Sequence, residues 1–96
     1  MITREMIKNG FNNGLISLEN EFDGCIGLCC RIGDNAFYFE TDNKAMYYTK
    51  EKYLQTYTME EIIDKLYDVL QDVEHAEVNG LDCEELGYYE GVLKSL

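Results

Sequence analysis

Ninety-six residues, 46 % of them hydrophobic, suffice for one core and argue against disorder. A formal charge of −11 disfavours direct contact with nucleic-acid phosphates or anionic membranes, since both are bound through Lys and Arg. With no proline, no low-complexity tract, no apolar run of bilayer length and no signal-like opening, the expectation is a single soluble, cytoplasmic domain.

Residues 3–12, TREMIKNGFN, predict a short helix, with Thr3 as its cap and Ile7 and Phe11 on one face beside Met6. Gly10 weakens that helix from inside, and Asn12-Asn13-Gly14 tolerates the left-handed backbone that stops a helix. From residue 15 the period changes from helical to alternating. LISLEN (15–20) sets Ile16 and Leu18 against Ser17 and Glu19, and a loop from Glu21 to Gly24 follows. CIGLCCRI (25–32) then turns Ile26, Leu28, Cys30 and Ile32 inward, opposite Cys25, Gly27, Cys29 and Arg31. Gly33-Asp34-Asn35 is a hairpin signal, and AFYFET (36–41) returns with Phe37 and Phe39 on one face and Tyr38 and Glu40 on the other. The product is a three-stranded antiparallel meander with one face on the core.

Residues 42–57 carry a mixed signal. Asp42-Asn43-Lys44 reads as a turn, AMYY as a fourth, edge strand, and TKEKYLQTY as a short helix capped by Thr49. Lys44, Lys50 and Lys52, interleaved with Tyr47, Tyr48, Tyr53 and Tyr57, have the makings of a nucleic-acid surface. Against the overall charge, salt bridging to an acidic helix or a tyrosine-rich protein contact is the more economical reading.

The stretch 58–76, TMEEIIDKLYDVLQDVEHA, predicts the main helix. Met59, Ile62, Ile63, Leu66, Val69, Leu70 and Val73 form its buried face, and Thr58 with Glu61 makes a capping box. On the opposite side Glu60, Asp64, Asp68 and Asp72 stack four residues apart, with only Lys65 near them in sequence. Three like-charge steps of roughly 0.2–0.5 kcal/mol each cost on the order of 1 kcal/mol, a price that is either tolerated or serves a partner. Asn79-Gly80 ends the helix, and Asp82-Cys83-Glu84-Glu85 caps a last one with an apolar stripe of Cys83, Leu86, Tyr89, Leu93 and Leu96. A second stripe, Gly87, Gly91 and Ser95, predicts close approach by another backbone, either the protein's own sheet or a second subunit. The fold class is therefore α+β: a short N-terminal helix, a three- or four-stranded antiparallel sheet, and two C-terminal helices packed on one face.

No catalytic constellation appears. Phosphate loops, nucleophile elbows and calcium loops are missing, and the single histidine, His75, follows Asp72 on a flank that reads as solvated rather than as a metal site. Cys-x3-Cys-Cys plus the distant Cys83 matches neither zinc knuckles nor a disulfide framework, and the expectation is reduced, buried thiols. The Cys25/Cys29 face with Gly27 reads as a place for a helix or a twin subunit to lie close, ahead of a thiol site. A non-enzyme without cofactor or metal follows.

What remains is charge. Residues 1–57 hold eight acids against six bases, and residues 58–96 eleven against two, so a net of −9 sits in the C-terminal part. Such a surface attracts a basic protein and speeds the encounter, although acidity can also serve solubility alone. Carboxylates four apart on a helix repeat every ~6 Å, about half the density of the ~3.4 Å phosphate spacing along one DNA strand. Glu61, Glu74, Glu77, Asp82, Glu84, Glu85 and Glu90 close the gap if the last two helices lie side by side. In size, acidity, α+β class and lack of enzymatic signature, the chain resembles the small inhibitors of phages and mobile elements, including many anti-CRISPR proteins and other DNA mimics. The resemblance is one of type and rests on no shared motif. It implies stoichiometric inhibition of a host nucleic-acid-binding enzyme, with Glu60, Glu61, Asp64, Asp68, Asp72, Glu84, Glu85 and Glu90 as the partner-binding set. Two other readings stand beside it: a dimeric assembly module built on Gly87/Gly91 or Cys25/Cys29, and an immunity protein for a basic toxin.

Overall fold

Local capping signals set most element boundaries. The computed structural model describes residues 1–20, 28–38 and 48–96. Helix α1 (Arg4–Asn12) starts where Thr3 Oγ1 accepts the Met6 N–H at 3.1 Å. Strands β1 (Ile16–Asn20), β2 (Leu28–Ile32) and β3 (Asn35–Tyr38) follow, then α2 (Lys50–Thr56), α3 (Met59–Leu70), α4 (Val73–Val78) and α5 (Cys83–Lys94). Thr49, Thr58, Asp72 and Asp82 each cap the helix that follows them, and Thr58 with Glu61 forms the full reciprocal box. Gly14 and Gly80 sit at φ 75° and 78°, one residue past the caps of α1 and α4. At α4 the Leu81 N–H reaches Ala76 O at 3.0 Å and the Gly80 N–H reaches Glu77 O at 3.0 Å. This paired closure needs a left-handed residue and turns Leu81 into the core.

The strands form an antiparallel meander in the order β1-β2-β3, with Ile16 opposite Ile32, Leu18 opposite Cys30, and Cys30 opposite Phe37. That register puts all five of these side chains on one buried face, where they join apolar residues from every helix in a single core. The opposite face carries Ser17, Glu19, Cys29 and Arg31, half-exposed, and Arg31 Nε donates to Glu19 Oε1 at 2.9 Å. Tyr89 of α5 packs on Phe37 with ring centroids 5.5 Å apart, and the Tyr88 hydroxyl accepts the Asp34 N–H at 3.1 Å, tying α5 to the hairpin. Ile26, Phe39, the start of the second predicted strand, the end of the third, the Glu21–Gly24 loop, the Asp42-Asn43-Lys44 turn and residues 45–47 of the expected AMYY strand lie outside the described residues, as do Cys25 and Gly27.

The predicted helix 58–76 is in fact two. α3 ends at Leu70, and Asp72 takes an extended backbone (φ −157°, ψ 172°) from which its carboxylate caps α4. A straight helix of that length would span ~28 Å, nearly the longest dimension of the molecule at 32 × 25 × 22 Å. Breaking at Asp72 lets α4 fold back on α3 and bury Ala76, while Val73 stays 41 % exposed instead of extending the core stripe. Three helices therefore take the place of the two expected C-terminal ones. Met59, Cys83 and Leu96, the outer members of the predicted stripes, are likewise exposed.

Candidate functional site

The acidic surface is built from α3, α4 and α5, and its carboxylates fall into two groups. Four of the eight expected binding residues are engaged within the fold. Glu61 accepts the Thr58 N–H at 2.9 Å, and the resulting hydrogen bonds hold its carboxyl below the usual range. Asp64 Oδ1 accepts from Arg4 Nε at 2.8 Å, and the Arg4 guanidinium also lies 3.9 Å over the Tyr67 ring. Asp72 Oδ1 accepts the His75 backbone N–H at 2.9 Å and sits 2.8 Å from His75 Nδ1; these bonds lower the carboxyl and raise the imidazole. Glu90 pairs with the Met1 ammonium and with Lys94 Nζ, and the two cations pull its pKa down to about 2.

The other four, Glu60, Asp68, Glu84 and Glu85, have no ion-pair partner among the described residues. Glu60, Glu84 and Glu85 occupy first turns of helices, where the helix dipole favours negative charge. Glu74 of α4 shares that position, and Glu77 follows it one turn later. From residue 66 to residue 93 the sequence contains no Lys or Arg and eight acids, which makes the α3 end, α4 and most of α5 one unbroken acidic run.

Three expectations need correction. The row Glu60–Asp64–Asp68–Asp72 does not lie on one helix, because Asp72 belongs to the cap of α4. Its relief comes chiefly from Arg4, sixty residues upstream of Asp64, a pairing with no local sequence signal. Of the predicted main helix it is chiefly α4 that packs on α5, while α1 packs against both α3 and α5. The close approach predicted for Gly87 and Gly91 to the protein's own sheet is not found, since no described atom lies within 4 Å of a Cβ built at either position.

Among the described residues no three His, Cys, Asp or Glu side chains gather as a metal site. Cys30 is fully buried, which pushes its thiol far up; Cys29 is half-buried and Cys83 exposed. Lys52 lies 4.3 Å over the Tyr48 ring, and no ion pair joins Lys50 or Lys52 to α3 among the described residues. Lys44 and Tyr47 fall outside them. No described helix is long and apolar enough to cross a membrane. No protein-family model, curated protein or solved structure matches the chain.

Proposed function

We propose that this protein is a small acidic inhibitor that binds a basic, nucleic-acid-binding protein of its host, in the manner of anti-CRISPR and other anti-defence proteins of phages and mobile elements. Its carboxylates occupy a Lys/Arg-lined groove that otherwise holds nucleic acid, and no bond is made or broken in the process. One observation supports this reading above the others: exposed acids at Glu60, Asp68, Glu74 and Glu84 on α3–α5 with no ion-pair partner among the described residues, within a sequence that holds no Lys or Arg from residue 66 to residue 93. Opposed fields of this kind accelerate association and make it salt-sensitive.

The engaged acids are poor choices for a test, because Asp64 is already paired with Arg4 and Asp72 caps α4. Neutralising Asp68→Asn, Glu74→Gln, Glu84→Gln and Glu85→Gln together leaves every cap and ion pair described above in place. Capture of partners from a host lysate at low and high salt, with wild type and this variant as baits, separates the readings. A basic nucleic-acid-binding protein held by wild type, and lost both in the variant and at high salt, is the expected result. A neutral or acidic partner, or one retained equally by the variant, contradicts an electrostatic inhibitor. A basic secreted or antibacterial toxin would point to an immunity protein instead.

A further inference from the structure

Arg4 stands where a cation is least at home. It is the first residue of α1, directly after the Thr3 cap, at the positive end of the helix dipole. What holds it there is a seat on α3. Its Nε donates to Asp64 Oδ1 at 2.8 Å, and its guanidinium carbon lies 3.9 Å from the centre of the Tyr67 ring. Asp64, Tyr67 and Asp68 are three and four residues apart, so a carboxylate, a ring and a second carboxylate share one side of the helix. Asp64 raises the Arg4 pKa chiefly through that hydrogen bond, and the charge of Asp68 adds to it. Asp68 itself is exposed and has no ion-pair partner among the described residues.

The contact is not what places α1. Ile7 is fully buried and Gly10 is pressed by Ile16 and Leu93, so the helix is fixed by its other face. The Arg4 and Asp64 side chains are 56 % and 62 % exposed, and ion pairs so open to water are held weakly. The seat can therefore exchange its occupant. It offers a flat ring to stack on and a carboxylate that accepts a fork of N–H donors, the two features that favour a guanidinium over an ammonium. Arginine is also a preferred means by which nucleic-acid-binding proteins grip phosphates. Resting on the reading of the protein as a binder of basic partners, we propose that Asp64, Tyr67 and Asp68 form a seat for an arginine of the partner, and that Arg4 fills it in the free protein as a built-in competitor. The partner's arginine displaces Arg4 into solvent. The surface thereby selects arginine-bearing partners over lysine-bearing ones, and Asp64 becomes a binding charge released only to a matching side chain.

The test uses the full chain, isotope-labelled, and two end-blocked peptides of equal length and charge as probes, one carrying arginines between glycines and the other lysines. Arg4→Ala empties the seat and is expected to tighten the arginine peptide about fivefold, the factor by which an exposed, ring-stacked ion pair keeps the seat filled. The signals that move should centre on Tyr67 and Asp68. Lys8→Ala, one turn further along α1, removes the same charge without opening the seat, and the lysine peptide should respond alike to both substitutions. Arg4→Lys keeps the charge but lacks the plane, and should also tighten the arginine peptide; it decides the matter if Arg4→Ala lowers the thermal midpoint. Adding Tyr67→Leu to Arg4→Ala should bring the two peptides to equal affinity. If Arg4→Ala gains no more for the arginine peptide than Lys8→Ala does, tightens both peptides alike, or leaves Tyr67 unmoved on binding, the seat is overturned. The lysate capture judges the inhibitor apart from this: a basic partner held by wild type, and no more tightly by Arg4→Ala, keeps the inhibitor and overturns the seat.

Discussion

Replacing Gly10 with alanine sets two effects of opposite sign against each other. Helix propensity alone favours alanine by about 0.8–1 kcal/mol inside a helix. Yet a Cβ at this position would stand 2.6 Å from Ile16 Cδ1, 2.7 Å from Ile16 Cγ1 and 2.8 Å from Leu93 Cδ2. Carbon pairs prefer about 3.5–4.0 Å, so both side chains would have to withdraw by close to 1 Å. Neither has room, since Ile16 and Leu93 are each 2 % exposed and press on Gly10 from different elements. Overpacking of this kind costs about 1–3 kcal/mol. The balance runs from about zero to a loss of about 2 kcal/mol, at about 4–8 °C of thermal midpoint per kcal/mol for a domain of this size. Gly87→Ala and Gly91→Ala supply the control, because there the added methyl meets no described atom within 4 Å. Each should gain up to about 1 kcal/mol, with the smaller gain at Gly91 near the helix end. Urea unfolding followed by far-UV circular dichroism reads all three as shifts in midpoint at constant slope. A Gly10→Ala protein more stable than wild type, or a destabilised Gly87→Ala, would refute the packing argument.

Tyr89 is fully buried, its hydroxyl has no hydrogen-bond partner among the described residues, and burial pushes its pKa up to about 12. Tyr89→Phe should therefore leave stability unchanged or raise it by up to about 1 kcal/mol, and a clear loss in chemical denaturation contradicts this. Thr58→Ala removes one half of the α3 capping box and should cost about 0.5–2 kcal/mol by the same assay. Glu90, held at about 2 by the Met1 ammonium and Lys94, has a folded pKa below its ordinary 4.5. Its stabilising share is present above the ordinary value and fades as pH falls from about 4.5 towards 2, so Glu90→Gln should flatten the acid limb of stability against pH. His75 runs the other way: its folded pKa is raised, chiefly by the hydrogen bond to Asp72, so its contribution is full below about 6.5 and is lost as pH rises through the folded value. Asp72→Asn keeps a capping oxygen but removes the charge, and NMR titration should show the His75 pKa falling.

The readable parts of the fold are those whose causes lie within a few residues. Thr3, Thr49, Thr58 and Asp82 cap helices where the sequence put them, and the alternation of Ile16, Leu18, Leu28, Cys30, Ile32 and Phe37 gave the sheet its buried face. The break at Asp72 escaped because the periodicity of Val69, Leu70 and Val73 runs through it. Only the fold's need to bring Ala76 and Leu81 back into the core makes capping win there over helix continuation. Gly10 read as a weak spot, and its reason, Leu93, lies eighty-three residues away. The acidic surface was legible as composition and illegible as geometry. Nothing near Asp64 announces Arg4, and nothing near Glu90 announces Met1, so charges that are free and charges that are spent look alike in the chain.

The most direct measurement is competition for the captured partner. Labelled nucleic acid is bound to that partner, this protein is titrated in, and the displaced fraction is followed by anisotropy. An inhibitor that occupies the basic groove releases the nucleic acid near one equivalent, and the Asp68→Asn, Glu74→Gln, Glu84→Gln, Glu85→Gln variant does not. A partner that holds both the nucleic acid and this protein at once would contradict it.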